Sequence, residues 1–220
     1  EIQDALALGS QQRAARAIAE GRFKSQIVPV EVRTRKETVT FDTDEHVRGD
    51  TTHEQLAKMK AAFREGGSVT AGNASGINDG AGALVLASGE GVRSAGLKPL
   101  ARLVSYAHAG VDPEVMGMGP VPASRLALSR AGLRVADLDV IESNEAFAAQ
   151  ACAVSRALEF DPAKVNPNGS GISLGHPVGA TGAIIATKAI HELQRIGGRY
   201  ALVTMCIGGG QGIAAIFERA

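Results

Sequence analysis

The 220-residue sequence has only two cysteines, no tryptophan and no surplus of either charge sign. Two cysteines cannot build a disulfide framework, so the expected compartment is a reducing cytoplasm. Lys and Arg together number 23, as do Asp and Glu. That balance gives neither nucleic acid nor an acidic membrane an electrostatic reason to be the main partner. No apolar run approaches the roughly 18–20 residues that span a bilayer. There is no Gly-Lys-Ser/Thr phosphate loop, and no Cys/His set has zinc spacing. Gly208-Gly209-Gly210-Gln211-Gly212 is not a dinucleotide fingerprint, because a strand rather than a helix is expected after it. Residue 1 is Glu, and it opens into a helical pattern with no clear N-cap and no signal or transit pattern. That start reads either as a trimmed terminus or as a piece of a longer chain.

Glycine is abundant, 27 residues, against a usual share of roughly 7%. Such an excess marks places where backbone comes close to something. The first segment, 2–19, has apolar residues at helical spacing and stops at Gly21. Residues 27–32 and 38–41 read as short strands, the first an edge strand because of Pro29. Asp42-Thr43-Asp44-Glu45-His46 lacks the glycine and the spaced final Glu of a calcium loop and reads as solvated. Residues 52–63 read as a helix with Leu56, Met59 and Phe63 on one side. A turn-rich loop, 66–80, runs into an apolar strand, 83–87. From Pro99 strands and helices alternate: strands at 100–107, 138–142, 200–207 and 212–217, helices at 123–131, 145–158 and 178–196. This pattern predicts an α/β layer with helices on its faces.

Three residues lie at element ends, where α/β proteins place their sites. Asn144 follows a strand and precedes a helix, a place where it could simply be an N-cap. His176 lies in Gly175-His176-Pro177, with Pro177 suited to the first helical position. A helix N-terminus there would keep the imidazole neutral, as a base or as a donor to an oxyanion; a plain capping role is the alternative. Cys206 closes a strand against three glycines, whose backbone N–H groups could form an anion nest. A buried apolar Cys is the alternative, and Cys152, inside a helix, reads as core. Together the three are the ingredients of thiol and imidazole chemistry on an acyl group or carbonyl.

These residues resemble the thiolase family, the acetyl-CoA acetyltransferases and β-ketothiolases. The resemblance rests on Asn144-Glu145-Ala146-Phe147, on Asn168-Gly169-Ser170-Gly171 leading to Gly175-His176-Pro177, and on Cys206-Ile207-Gly208-Gly209-Gly210. Thr70-Ala71-Gly72-Asn73-Ala74-Ser75-Gly76 and Gly21-Arg22-Phe23 match as well. It runs over the whole chain and looks nearest to bacterial β-ketothiolases that supply polyhydroxyalkanoate precursors. It implies a thiolase fold: residues 1–77 as remainder of the CoA-binding loop domain, 78–98 as the last strand and helix of the N-terminal half, and 99–220 as the layered βαβαβ-type C-terminal domain.

The resemblance also implies an activity. Two acyl-CoA molecules are condensed to a 3-oxoacyl-CoA plus CoA, or the reverse, by a ping-pong route through an acyl-cysteine. His176 matches the histidine that activates that cysteine and helps hold the thioester oxygen. Cys206 matches the acid/base at the attacking acetyl group. Asn144 matches the asparagine that holds an oxyanion-hole water, and Gly208 offers its N–H to the other oxyanion hole. Ala71, Ala74 and Ser75 match the loop along the pantetheine arm, Arg48 a basic residue near the nucleotide, and Phe147 a residue of the acyl pocket. No cofactor or metal is implied beyond CoA thioesters as substrates. A homo-oligomer, dimer or tetramer, is expected, with no nucleic-acid or membrane partner. The acylated cysteine of the family lies in an N-terminal half that these residues do not include, and Cys152 does not match it. The chain therefore reads as the C-terminal portion of a thiolase subunit. Alternatives are a non-catalytic CoA-binding or dimerisation fragment and a thiol hydrolase with Cys206 as nucleophile.

Overall fold

The computed structural model describes residues 1–220. Helix α1, Ile2–Ala19, buries Ala7, Ser10, Ala14 and Ala17. These small side chains recur every three to four residues and bring α1 close to its neighbours. The Arg22 N–H reaches the Ala17 carbonyl and the Gly21 N–H reaches that of Ile18. Gly21 sits at φ +69°, which closes the helix with a left-handed turn.

Strands β1, Val30–Arg33, and β2, Thr38–Phe41, pair antiparallel with Val30 opposite Phe41. The first begins three residues later than the sequence pattern predicts, just after Pro29, whose missing N–H cannot join a ladder. Helix α2, His53–Ala57, starts with Thr52 and Gln55 in a capping box. It is much shorter than the expected 52–63. Leu56 is buried but Met59 and Phe63 are exposed. The chain leaves the helix because Ala61 bridges to Thr70, folding 58–70 back on itself.

The apolar run 83–87 forms no strand. Val85 and Leu86 stand almost fully in solvent, 95% and 80% exposed. A strand needs a ladder partner, and none lies beside this segment. Helix α3, Gly89–Ser94, follows, capped by Ser88.

The remaining chain builds one four-stranded sheet. Its strands are β3, Ala101–Gly110; β4, Val140–Ser143; β5, Tyr200–Ile207; and β6, Gln211–Arg219. Their order is β3-β6-β5-β4, with β4 parallel to β5 and the other pairs antiparallel. Helix α4, Pro120–Ala131, packs on β3 and β6. Between β4 and β5 come α5, Ala148–Ala157; α6, Gly171–Leu174; and α7, Thr181–Ile196. Leu202 points into a core with Leu128, Ile141, Val154 and Ile216. Its neighbours Ala201 and Val203 point the other way, against Ile185, Ala189 and Leu193 of α7. Burial on both faces explains why 200–207 reads as an unbroken apolar run. No helix is long and apolar enough to cross a membrane.

One close approach fixes how α4 meets the sheet. A Cβ on Gly212 would land on the Gly119 carbonyl and the Pro120 nitrogen. Backbone on both sides leaves nothing flexible to yield. Gly212→Ala should therefore cost about 2–3 kcal/mol by overpacking. Urea unfolding measures it, and a loss below about 0.5 kcal/mol would contradict the packing described.

Candidate active site

Strand β4 ends at Ser143, and the next residue, Asn144, keeps the ladder for one more bond: its N–H donates to the Thr204 carbonyl, 2.9 Å. Asn166 clamps this end of the strand. Its Oδ1 accepts from the Ser143 N–H and its Nδ2 donates to the Ser143 carbonyl, at 2.9 and 2.8 Å. Glu145 turns inward and accepts from Ser10 Oγ and Asn166 Nδ2, at 2.6 and 3.0 Å. The simple reading of Asn144 as an N-cap does not hold. Helix α5 starts at Ala148 with Phe147 in the cap position. Asn144 is instead fully buried. Its Nδ2 lies 3.3 Å from His176 Nε2, and its Oδ1 has no hydrogen-bond partner in the protein.

His176 stands in extended backbone between α6 and α7. The expectation that Pro177 opens the helix needs correction: α7 begins at Thr181, after a turn in which the Pro177 carbonyl accepts from the Ala180 and Thr181 N–H groups. His176 is thus one turn ahead of the helix. Burial, rather than the helix dipole, holds its imidazole below the usual histidine range and neutral at pH 7. Its Nδ1 lies 2.7 Å from Thr181 Oγ1, which is 2.9 Å from the Pro177 carbonyl. A carbonyl only accepts, so both contacts are satisfied when the hydroxyl donates to it and Nδ1–H donates to the hydroxyl. Nε2 then carries a lone pair and accepts from Asn144 Nδ2. Thr181 therefore fixes the tautomer that presents a base toward the carboxamide.

Cys206 comes to the same end of the sheet, two residues beyond Thr204 and paired with Gly212. It is buried, and burial pushes its thiol up from the ordinary value of 9.0. No hydrogen bond joins it to Asn144 or His176. Gly208 begins the three-residue turn to β6; Gly208 and Gly209 are exposed and Gly210 is buried, with Gly209 and Gly210 at φ +83° and +89°. Cys152, read from sequence as core, is half-buried and opens on a cavity of about 370 Å³ beside Arg13 and Phe160.

The residues matched to CoA contacts gather elsewhere, apart from Phe147. Arg48, Ala71, Ala74 and Ser75 share a cavity of about 670 Å³ with Gln11 and His46. That volume suits a small molecule. Gln11 Oε1 accepts from the Arg48 N–H, 2.7 Å, and fixes the start of this wall. The 71–75 loop is pinned like a strand: Ser75 N–H donates to the Ala146 carbonyl and Ala148 N–H to that of Asn73, at 3.0 and 2.8 Å. Ala74 bridges Phe147 between them. Phe147 does not line the cavity; its ring meets Phe63 edge-on at 5.9 Å. The stretch 144–148 thus begins with the Asn144 carboxamide and ends hydrogen-bonded to the 71–75 loop, which lines the cavity.

The sequence alone does not point to Thr181, Asn166 or Asn78. Thr181 alone had a local signal, five residues from His176 in the same glycine-rich stretch. Asn78 lies 98 residues from the backbone N–H that it holds, His176.

Comparison with known proteins identifies the family and the fold. The family model "Thiolase, C-terminal domain" matches residues 97–219 and "Thiolase, N-terminal domain" matches 1–90. The chain is 68% identical to a β-ketothiolase of Cupriavidus necator, over 99% of this chain and 55% of that protein. The Bacillus anthracis acetyl-CoA acetyltransferase superposes with a TM-score of 0.97 at 51% identity, over 99% of this chain and 55% of that one. Human mitochondrial 3-ketoacyl-CoA thiolase in complex with CoA gives 0.91 at 45%, over 99% and 54%. The chain spans about half the length of these relatives. With both domain models matched and the fold shared, the chain belongs to the thiolase family.

Proposed function

We propose that the chain forms the CoA-cradling and carbanion-handling part of an acyl-CoA C-acyltransferase, which joins two acyl-CoA molecules into a 3-oxoacyl-CoA plus CoA, or runs the reverse. The observation that carries this reading is the 3.3 Å contact between Asn144 Nδ2 and His176 Nε2 at one end of the 144–148 stretch, while the other end is hydrogen-bonded to the 71–75 loop that lines a cavity of about 670 Å³.

An α-proton of a thioester is a weak acid. Its removal needs a base and a donor to the developing oxyanion. Asn144 Nδ2 has a second N–H for such an oxygen or for a water held against it. His176 presents a lone pair that takes the proton of an acylatable thiol, and the resulting Nε2–H then donates to the thioester oxygen. Cys206 serves as the acid/base at the second acyl group. Burial keeps its thiol protonated, which suits a proton carrier better than the ready thiolate of a hydrolase. The acylated cysteine comes from the N-terminal half of the subunit, as in the family. The domains divide as 1–77 for the CoA loop, 78–98 for the end of the N-terminal half and 99–220 for the C-terminal layer. CoA thioesters are the only organic groups required, in a cytoplasmic homo-oligomer. The high identity to a β-ketothiolase supports a role with 3-oxoacyl-CoA.

Calorimetry with free CoA tests the cavity. The chain is expected to bind CoA, and Arg48→Ala to weaken it roughly tenfold, the scale of one charge-assisted hydrogen bond. No binding, or equal binding by the variant, would overturn the assignment of the cavity.

A further inference from the structure

The contact network around His176 includes a residue outside every motif. Asn78 Oδ1 accepts from the His176 backbone N–H, 3.1 Å, and Asn78 Nδ2 lies 3.3 Å from His46 Nδ1. An N–H can only donate, so the first bond fixes the carboxamide's orientation and the second makes His46 Nδ1 the acceptor. Two glycines shape the slot for this side chain. A Cβ on Gly175, which sits at φ +91°, would come within 2.5 Å of Asn78 Oδ1. A Cβ on Gly76 would come within 2.7 Å of the same oxygen and 2.5 Å of His46 Cε1. The neighbouring Ile77 bridges to His176 in parallel, which keeps the two stretches side by side. His46 in turn lines the 670 Å³ cavity with Arg48 and Ser75.

We propose that Asn78 is a positioning residue that ties His176 to His46 on the cavity wall, so that one carboxamide sets the aim of the first imidazole and the seat of the second. Thr181 and Asn144 hold the His176 ring, whereas Asn78 holds the backbone from which that ring projects. The tie gives the cavity's occupant a mechanical route to the carbonyl end of the site. Its significance for catalysis rests on the thioester reading above, but its existence does not, and the test needs no CoA.

The chain has five histidines: His46, His53, His108, His176 and His191. Ring Cε1–H resonances of the full chain, labelled at histidine, report on all five at once. In Asn78→Ala the His46 and His176 signals should both shift, with His53, His108 and His191 unmoved as the fold control. Asn78→Asp keeps an acceptor for the His176 N–H but loses the donor to His46. It should restore the His176 signal and leave that of His46 displaced. This split is one that general loosening cannot produce. An unmoved His176 in Asn78→Ala would overturn the proposal. So would an Asn78→Asp variant in which both signals are kept or both are lost, and this second variant decides the matter even where the alanine variant fails to fold. Failure to bind CoA would count against the thioester reading alone.

Discussion

Cys206→Ala should slow the exchange of acetyl-CoA α-protons with solvent deuterium by about 10²–10⁴-fold, the usual worth of a positioned general base. This partial reaction asks only for groups that the chain carries, so it can be run on the chain itself and followed by mass spectrometry. Asn144→Ala should cost about 10²–10³-fold in the same assay, the loss typical of one oxyanion donor. The pH dependence adds a sign. Burial raises the Cys206 thiol above its ordinary 9.0, and the base is the deprotonated form. Exchange should therefore keep climbing with pH and show no plateau below pH 9. A chain that exchanges no faster than buffer, or a Cys206→Ala variant equal to its parent, would refute the role given to the thiol.

Lys188→Met should cost about 3–5 kcal/mol of stability at alkaline pH, because it strands a buried carboxylate. Lys188 Nζ lies 2.8 Å from Glu142 Oε2 and also donates to the Gly169 carbonyl, with both side chains almost completely buried between β4 and α7. Burial pushes the Glu142 carboxyl up to about 7 although Lys188 pulls it down, and its Oε1 has no partner. A carboxyl raised above its unfolded 4.5 holds a proton longer in the folded state. Stability is then greatest below about 4.5 and declines as pH rises through about 7. Removing the lysine steepens that decline, so the penalty of Lys188→Met should be larger at alkaline than at acid pH. Lys188→Met combined with Glu142→Leu should recover most of the loss, because neither charge is then left alone. Urea unfolding at several pH values measures all three variants. A penalty under about 1 kcal/mol, or one that grows toward acid pH, would contradict a pair of this kind.

Much of the layout was readable because it is written in neighbouring residues. Strands β5 and β6 and helix α7 are long and apolar, with glycines marking their ends, and the sequence pattern locates each within a few residues. The failures share a cause. Residues 83–87 look like a strand because their side chains suit one, yet pairing depends on a partner that local pattern does not contain. Residues 58–63 keep helical spacing, yet a bridge from Ala61 to Thr70 pulls them away. The site divides the same way. Asn144, His176 and Cys206 stand out because each is expected at an element end, the last two beside glycines. Asn78 and the Lys188–Glu142 pair do not, since their partners are 98 and 46 residues away. Proline favours the first helical position, which predicts His176 at a helix start, but the Pro177 carbonyl is used in a turn first.

The stretch from Asn144 to Ala148 works as a ruler. One end meets the imidazole and the other is stitched to the 71–75 loop, with no slack residue between them. A molecule that anchors its long tail along that loop has its reacting carbon delivered to a preset depth, whatever hangs beyond the sulfur. On the thioester reading proposed above, discrimination among acyl chains falls past the ruler's end, in space the 144–148 backbone does not gauge.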